Sequence, residues 1–437
     1  MNRFFLICIL ITVGISPLQA DPGWPRFRGL NGSGVNSSGT VPTGLSDETR
    51  KWSVEIPGSG HGSPVIFGDR LFLLSAVPQK VDAAGAKEAG KQKKGKAAKG
   101  GGGAIAYEWL ALCLDRNSGE TIWEKKFDQG KFKGHRFNSA ASSTPAVDAE
   151  RVVFAWGPPE QLTVVSLSHD GELQWKEDLG PVVGGHGFGG SPILYRDLVV
   201  LNNDQEKQSG NLLALDAATG ETKWTVDRRS ERISYSVPCV YEADGKELLV
   251  FTNWQHGFTA IDPLDGSVVA EKSVFYLETN ERAISSPIVS GGLVIGTCGF
   301  TANPKHCVAM KLEGGAWKEV WRIEKSVPHI PSLIAVGEHT YLIDDAGIGT
   351  CVVTATGEEL WRNRIPGVEG SIFGSPVSDG KNIFFADESG NVHVIAASPG
   401  FESRGMSRLG ELCRTTPAII GDTIYVRTEA KLSAFGK

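Results

Sequence analysis

Short apolar runs recur along the chain, most with glycine, proline, aspartate or asparagine close by. Leu71–Leu74, Trp109–Leu114, Leu198–Leu201 and Leu212–Leu215 are typical. Runs of four to six apolar residues closed by turn formers read as buried β-strands, and no 3.6-residue period persists that would indicate helices. One unit repeats. A small residue and a proline open it, two apolar strands follow, and a variable loop leads to a third strand. That strand runs into Asp-x-x-x-Gly and a fourth strand beginning near a tryptophan. The clearest copy runs from Ser191 to Trp224.

The repeat sets the architecture. Pro64, Pro145, Pro192, Pro238, Pro287, Pro331, Pro376 and Pro417 are its anchors, with spacings of 81, 47, 46, 49, 44, 45 and 41 residues. Gly119, Gly171, Gly220 and Gly357 each stand four residues before a tryptophan: Trp123, Trp175, Trp224 and Trp361. Glycine supplies the positive φ of a tight turn, and the fixed spacing holds the register. Each tryptophan, with Trp52 and Trp321, is therefore expected to fill the gap between adjacent sheets. Ala270 takes the tryptophan place in unit four, and unit seven has none. Four strands every 41–49 residues is a propeller-blade period. The expected fold is all-β: an eight-bladed β-propeller of four antiparallel strands per blade. Unit eight stops after its third strand, so Lys51–Ile56 is expected to complete it and close the ring.

Residues 1–20 read as a Sec signal peptide, with Arg3, the apolar run Phe4–Val13 and an end at Ala20. A periplasmic or extracellular destination follows, with no membrane span after cleavage. Residues 21–48 are expected to strap across the disc, and the propeller to occupy 49–437. Residues 80–103, rich in Lys, Ala and Gly, read as a disordered, solvated insertion in blade one. Export permits disulfides, and only Cys298 and Cys307 are near in sequence, so they are the candidate pair. A formal charge of −6 argues against nucleic acid as a partner.

The stretches Leu112–Trp123 and Leu212–Trp224 resemble the pyrroloquinoline-quinone-type propeller repeat. The leader Gly23-Trp-Pro-Arg-Phe-Arg-Gly-Leu-Asn-Gly-Ser-Gly34 is similar to that of exported quinoprotein-like proteins of planctomycete bacteria. The resemblance covers about residues 50–437 and implies two functional classes. Some members are quinone-dependent alcohol or sugar dehydrogenases. Others are ligand-free scaffolds, among them the propeller factor that helps assemble outer-membrane barrels. A dehydrogenase would need pyrroloquinoline quinone, calcium and an aspartate base. No adjacent cysteines occur and no residue matches those ligands. Asp344-Asp345 directly follows a strand and is expected to cap a turn. The reading is therefore a monomeric scaffold for protein or peptide partners, without catalytic residues, metal or cofactor.

One constellation remains. The segments before the first strands hold His61, His135, Arg136, His186, Arg232, Tyr235, Arg282, His329, Phe373 and Arg414. In a propeller these segments ring the axial funnel. His61, His186, Arg232, Tyr235, Arg282, His329, Phe373 and Arg414 are the candidate ligand-binding set, suited to an anionic or polar ligand. The competing reading is that each is solvated or bonded to neighbouring backbone.

Overall fold

In a computed structural model, the structure describes residues 23–79, 104–132, 137–279, 281–300 and 304–437. The signal-peptide segment 1–20, the 80–103 insertion and the candidates His135 and Arg136 lie outside the described residues. Eight four-stranded antiparallel sheets form the propeller. Blades one to seven occupy residues 65–132, 146–178, 193–230, 239–272, 288–323, 334–364 and 377–408. The eighth combines residues 418–435 with the strand Arg50–Glu55, which pairs antiparallel with Lys431–Phe435. The N-terminal strand thus completes the last blade, as expected from the repeat. Ring closure leaves no sheet joined to the rest by a single covalent connection, because chain start and chain end share one sheet.

The hub is held by hydroxyls. The residue just before each first-strand proline is Ser or Thr in most blades, and its oxygen accepts the backbone N–H of the preceding blade. Ser63 N donates to Thr144 Oγ1 at 2.9 Å and Thr144 N to Ser191 Oγ at 2.9 Å. Val237, Ser286, Ser332 and Ser375 continue the pattern through Ser286, Ser332, Ser375 and Thr416 at 2.8–3.0 Å. Thr416 N returns to Ser63 Oγ at 3.2 Å. Only Val237, lacking a hydroxyl, breaks the circle. This ring corrects the anchor in blade six. Ser332 occupies the hydroxyl position and Leu333 the proline position before the strand Ile334–Val336, so Pro331 lies two residues early.

The tryptophans lock neighbouring blades at larger radius. Trp52, Trp123, Trp175, Trp224 and Trp321 donate their indole N–H to Arg116, His169, Ala217, Pro263 and Thr354 carbonyls of the next blade, at 2.8–3.0 Å. Trp361 makes the equivalent bond to Ser398 at 3.4 Å. Beneath each of the first five rings lies a positive-φ glycine of that next blade: Gly119, Gly171, Gly220, Gly266 and Gly357. A Cβ on Gly220 would stand 2.8 Å from the Trp175 ring, so this glycine serves both the turn and the docking. The aspartates that open these turns accept the expected N–H bonds; Asp216 takes those of Ala218 and Thr219 at 2.9 and 3.0 Å.

Two boundaries lack the motif and are filled otherwise. Where blade four has Ala270, Trp317 of blade five reaches back and donates to the Ala270 carbonyl at 3.3 Å. Between blades seven and eight, Val41 and Leu45 of the N-terminal segment join the cluster containing Val394, Ile419 and Tyr425. The same segment crosses the hub. Trp24 bridges Ile66 of blade one, Arg26 donates to Pro238 of blade four, Arg28 to Leu333 of blade six, and Val35 bridges Ser378 of blade seven. Burial pushes the Arg26 and Arg28 guanidiniums down, to about 10 and about 9.

The Cys298–Cys307 disulfide is not formed. Register sets Cys298 opposite His306 and Cys307 opposite Thr297. Residues one register step apart face opposite sides of a sheet, and the two thiols lie in different inter-blade clusters. All six described cysteines are buried free thiols.

Two outcomes follow. Trp175→Ala is expected to cost about 3–5 kcal/mol in a urea melt, as for a large buried aromatic. Titration with a thiol-reactive dye should find the six thiols in denaturant, with or without prior reduction, and almost none in the native protein.

Candidate functional site

The axial channel opens into a cavity of about 670 Å³. Its waist is the hydroxyl ring of the hub. At its base stands Phe27, carried there by the strap as it crosses one to three residues beyond that ring. The structure brings all eight candidates, His61, His186, Arg232, Tyr235, Arg282, His329, Phe373 and Arg414, to the wall of this one cavity. The reason is topological: each precedes a first strand, and first strands surround the axis. Phe27, Phe137, Phe300 and Asp345, which the sequence reading did not select, also line it. Phe27 was legible only as part of the leader; the others stand in loops whose inward turn no local pattern signals.

The cations do not converge unpaired. Arg232 and Arg282 share Glu206, at 2.7 and 3.2 Å. Burial alone would raise the Glu206 carboxyl, but Arg282 and the Arg232 hydrogen bond hold it below its ordinary value. Arg414 Nε donates to Glu388 at 3.1 Å, and its guanidinium lies 5.3 Å from the Phe373 ring centre. Arg232, Arg282 and Arg414 line the cavity, and their partners Glu206 and Glu388 are not among its lining residues. Asp344 caps its turn, accepting from Ala346 and Ile348 N–H at 2.9 and 2.8 Å. Asp345 departs from that expectation: it accepts from the His329 and Ile330 N–H groups at 2.8 and 3.0 Å and pairs with Lys305 at 2.7 Å.

His61 and His329 are held neutral. Burial, then the Arg414 and Arg427 charges, push His61 down to about 4. Burial likewise pushes His329 down to about 4, against the pull of Asp345. His186 packs edge-on to Tyr235, with ring centres 6.5 Å apart. A smaller cavity of about 180 Å³ adjoins at the blade-eight side, sharing His61, Asn138 and Arg414 with the first.

This donor set does not fit calcium beside a quinone. Among the described residues, the one carboxylate on the wall, Asp345, has both oxygens engaged by N–H groups and Lys305. A hard cation needs six to eight oxygen ligands. Among the described residues, no three His, Cys, Asp or Glu side chains are grouped to hold a metal ion. No helix among them is long and apolar enough to cross a membrane.

Fold and cavity together define an eight-bladed, pyrroloquinoline-quinone-repeat type of propeller with a strap-floored axial pocket. The family model described as outer membrane protein assembly factor BamB matches residues 109–363, and the chain belongs to that family. A BamB of Burkholderia pseudomallei is 23% identical over 325 residues, covering 72% of this chain and 76% of that protein. The crystal structure of BamB from Moraxella catarrhalis superposes with a TM-score of 0.57 at 13% identity, over 76% of this chain and 94% of that one. The quinohemoprotein alcohol dehydrogenase ADHIIG of Pseudomonas putida HK5 superposes with a TM-score of 0.52 at 12% identity, over 95% and 80%. At such identities these superpositions establish the shared fold alone.

The depressed histidines give a pH signature. Their folded values near 4 lie below the ordinary 6.5. Stability is therefore fully present above pH 6.5 and is lost as pH falls toward 4, because only the unfolded chain takes up these protons in that window. A His61→Gln, His329→Gln double variant should show a flatter loss of stability between pH 6.5 and 4 in denaturant titrations; a profile unchanged from the parent would contradict the assignment.

Proposed function

We propose that this chain is an exported scaffold that binds protein or peptide partners at the cell envelope, in the manner its family description names, the assembly of outer membrane proteins. The family match and the B. pseudomallei relative support the reading. One structural observation carries it. Apolar side chains stand exposed on and beside the outermost strands: Leu173 is 56% exposed in blade two, and in blade four Leu264, in the turn before the outermost strand, and Val268, within it, are 80% and 46% exposed. Blade four concentrates them, with Val269 adjoining in the strand Val268–Lys272. An unpaired strand edge offers N–H and C=O groups to an extended segment, and alternate apolar side chains add burial.

On this reading the signal peptide delivers the chain to the periplasm or beyond, the closed ring acts as a monomer, and binding needs no cofactor. A photo-crosslinking residue placed at position 268 should trap outer membrane barrel proteins or their assembly machinery in intact cells. The same residue at Ser403, on the outer strand of blade seven, should trap them far less. Paired Leu264→Asp and Val268→Asp changes should lower recovery at least about tenfold, the scale of removing two buried apolar contacts, with the melting temperature unchanged. Equal adducts at both positions, or none at 268, would remove the scaffold reading.

A further inference from the structure

Three polar atoms of side chains that line the axial cavity are buried and have no partner among the described residues: Tyr235 Oη, Arg282 Nε and His329 Nδ1. All three are buried, and the Arg282 and His329 residues are only 7% and 8% exposed. They come from the segments entering three consecutive blades, four, five and six, and all line the same wall. The Arg282 charge acts on both Tyr235 and His329, so the three are electrostatic neighbours. Buried polar groups are normally satisfied, and three orphans on one cavity wall mark a place where a bound acceptor completes the network.

We propose that Tyr235, Arg282 and His329 form a seat for the carboxylate of a small organic acid with an apolar, aromatic-sized body. The charge of the seat favours an anion, since Arg282 contributes a permanent cation and Tyr235 a hydroxyl donor. One charge suffices: Arg282 already shares Glu206 with Arg232, which leaves little to balance a dianion. The neutral imidazole of His329 supplies either a donor or an acceptor, according to its tautomer. Asp345, the nearest acid on the wall, is bound by Lys305 and two backbone N–H groups and does not compete for the donors. Apolar groups stand beside the seat. Phe300 lies edge-on to His329 at 5.9 Å, Ile284 follows Arg282 by two residues, and Phe27 closes the base. A pocket of this size, with aromatic side chains beside convergent polar groups, suits a compact amphipathic molecule. The inference is independent of the scaffold reading, because the seat lies on the axis and the apolar rim on the outer strands.

Calorimetric titration of the full mature protein with 2-naphthoate tests it, with 2-naphthamide as the uncharged counterpart. One saturable site is expected for the acid, with the amide at least about tenfold weaker, as for loss of a charge-assisted hydrogen bond. Tyr235→Phe deletes one orphaned hydroxyl and nothing else. It should weaken naphthoate about five- to tenfold while leaving the melting temperature of the free protein equal or higher. A structural role for the hydroxyl would lower that temperature instead. A short peptide ending in a free phenylalanine carboxylate that displaces naphthoate would assign the seat to polypeptide ends. Failure to displace it, with naphthoate still bound, would assign it to free small acids. Equal binding of acid and amide, wild-type affinity in Tyr235→Phe, or no saturation at millimolar naphthoate would overturn the proposal.

Discussion

A circle of hydroxyl-to-amide hydrogen bonds at the hub positions everything else in this molecule. Eight sheets must meet at one axis, and each first strand leaves an N–H there with no partner in its own sheet. Seven blade junctions solve this with a Ser or Thr oxygen from the next blade. Each bond contributes modestly, but a buried N–H left unmet would cost more than the bond itself is worth. The circle closes only because Arg50–Glu55 joins the last sheet, which brings Thr416 beside Ser63.

Further out, the tryptophan–glycine contact repeats the same logic with apolar surface. A wedge-shaped gap widens with radius, and an indole over a glycine turn fills it while satisfying its own N–H. Where the indole is missing, other parts of the chain supply the volume: Trp317 at the Ala270 boundary and Val41 with Leu45 between blades seven and eight. The N-terminal strap is thus part of the packing as well as a floor for the axial cavity. Its two buried arginines reach the carbonyl oxygens of Pro238 and Leu333, at the entries to blades four and six, with burial lowering both.

The cavity follows from the hub. Residues that precede first strands must face the axis, so His61, Tyr235, Arg282, His329 and Phe373 share one wall although they span the chain. Their electrostatics come from a different source. Glu206 and Glu388 stand in loops between second and third strands and meet the arginines only when the blades assemble. The result is a cavity of paired guanidiniums, aromatic rings and, at His61 and His329, neutral imidazoles, in place of the open cationic funnel that the list of residues suggests.

The sequence alone determined the number of blades, the closing strand and the set of side chains that ring the axis. These depend on short-range spacing: a turn glycine, an anchor residue and a strand of fixed length repeat within one blade, and periodic local constraints are visible in a linear string. It misplaced the blade-six anchor because Pro331 mimics a pattern whose physical basis is the hydroxyl of Ser332. It paired Cys298 with Cys307 because nearness along the chain does not reveal the register that turns them to opposite faces. Only the tertiary structure decided which glycine lies under which tryptophan, that Phe27 floors the cavity, and that Glu206 joins Arg282 across 76 residues of chain. Those contacts are made between blades or across the hub, where partners are set by ring closure and packing geometry, and no local period carries that information.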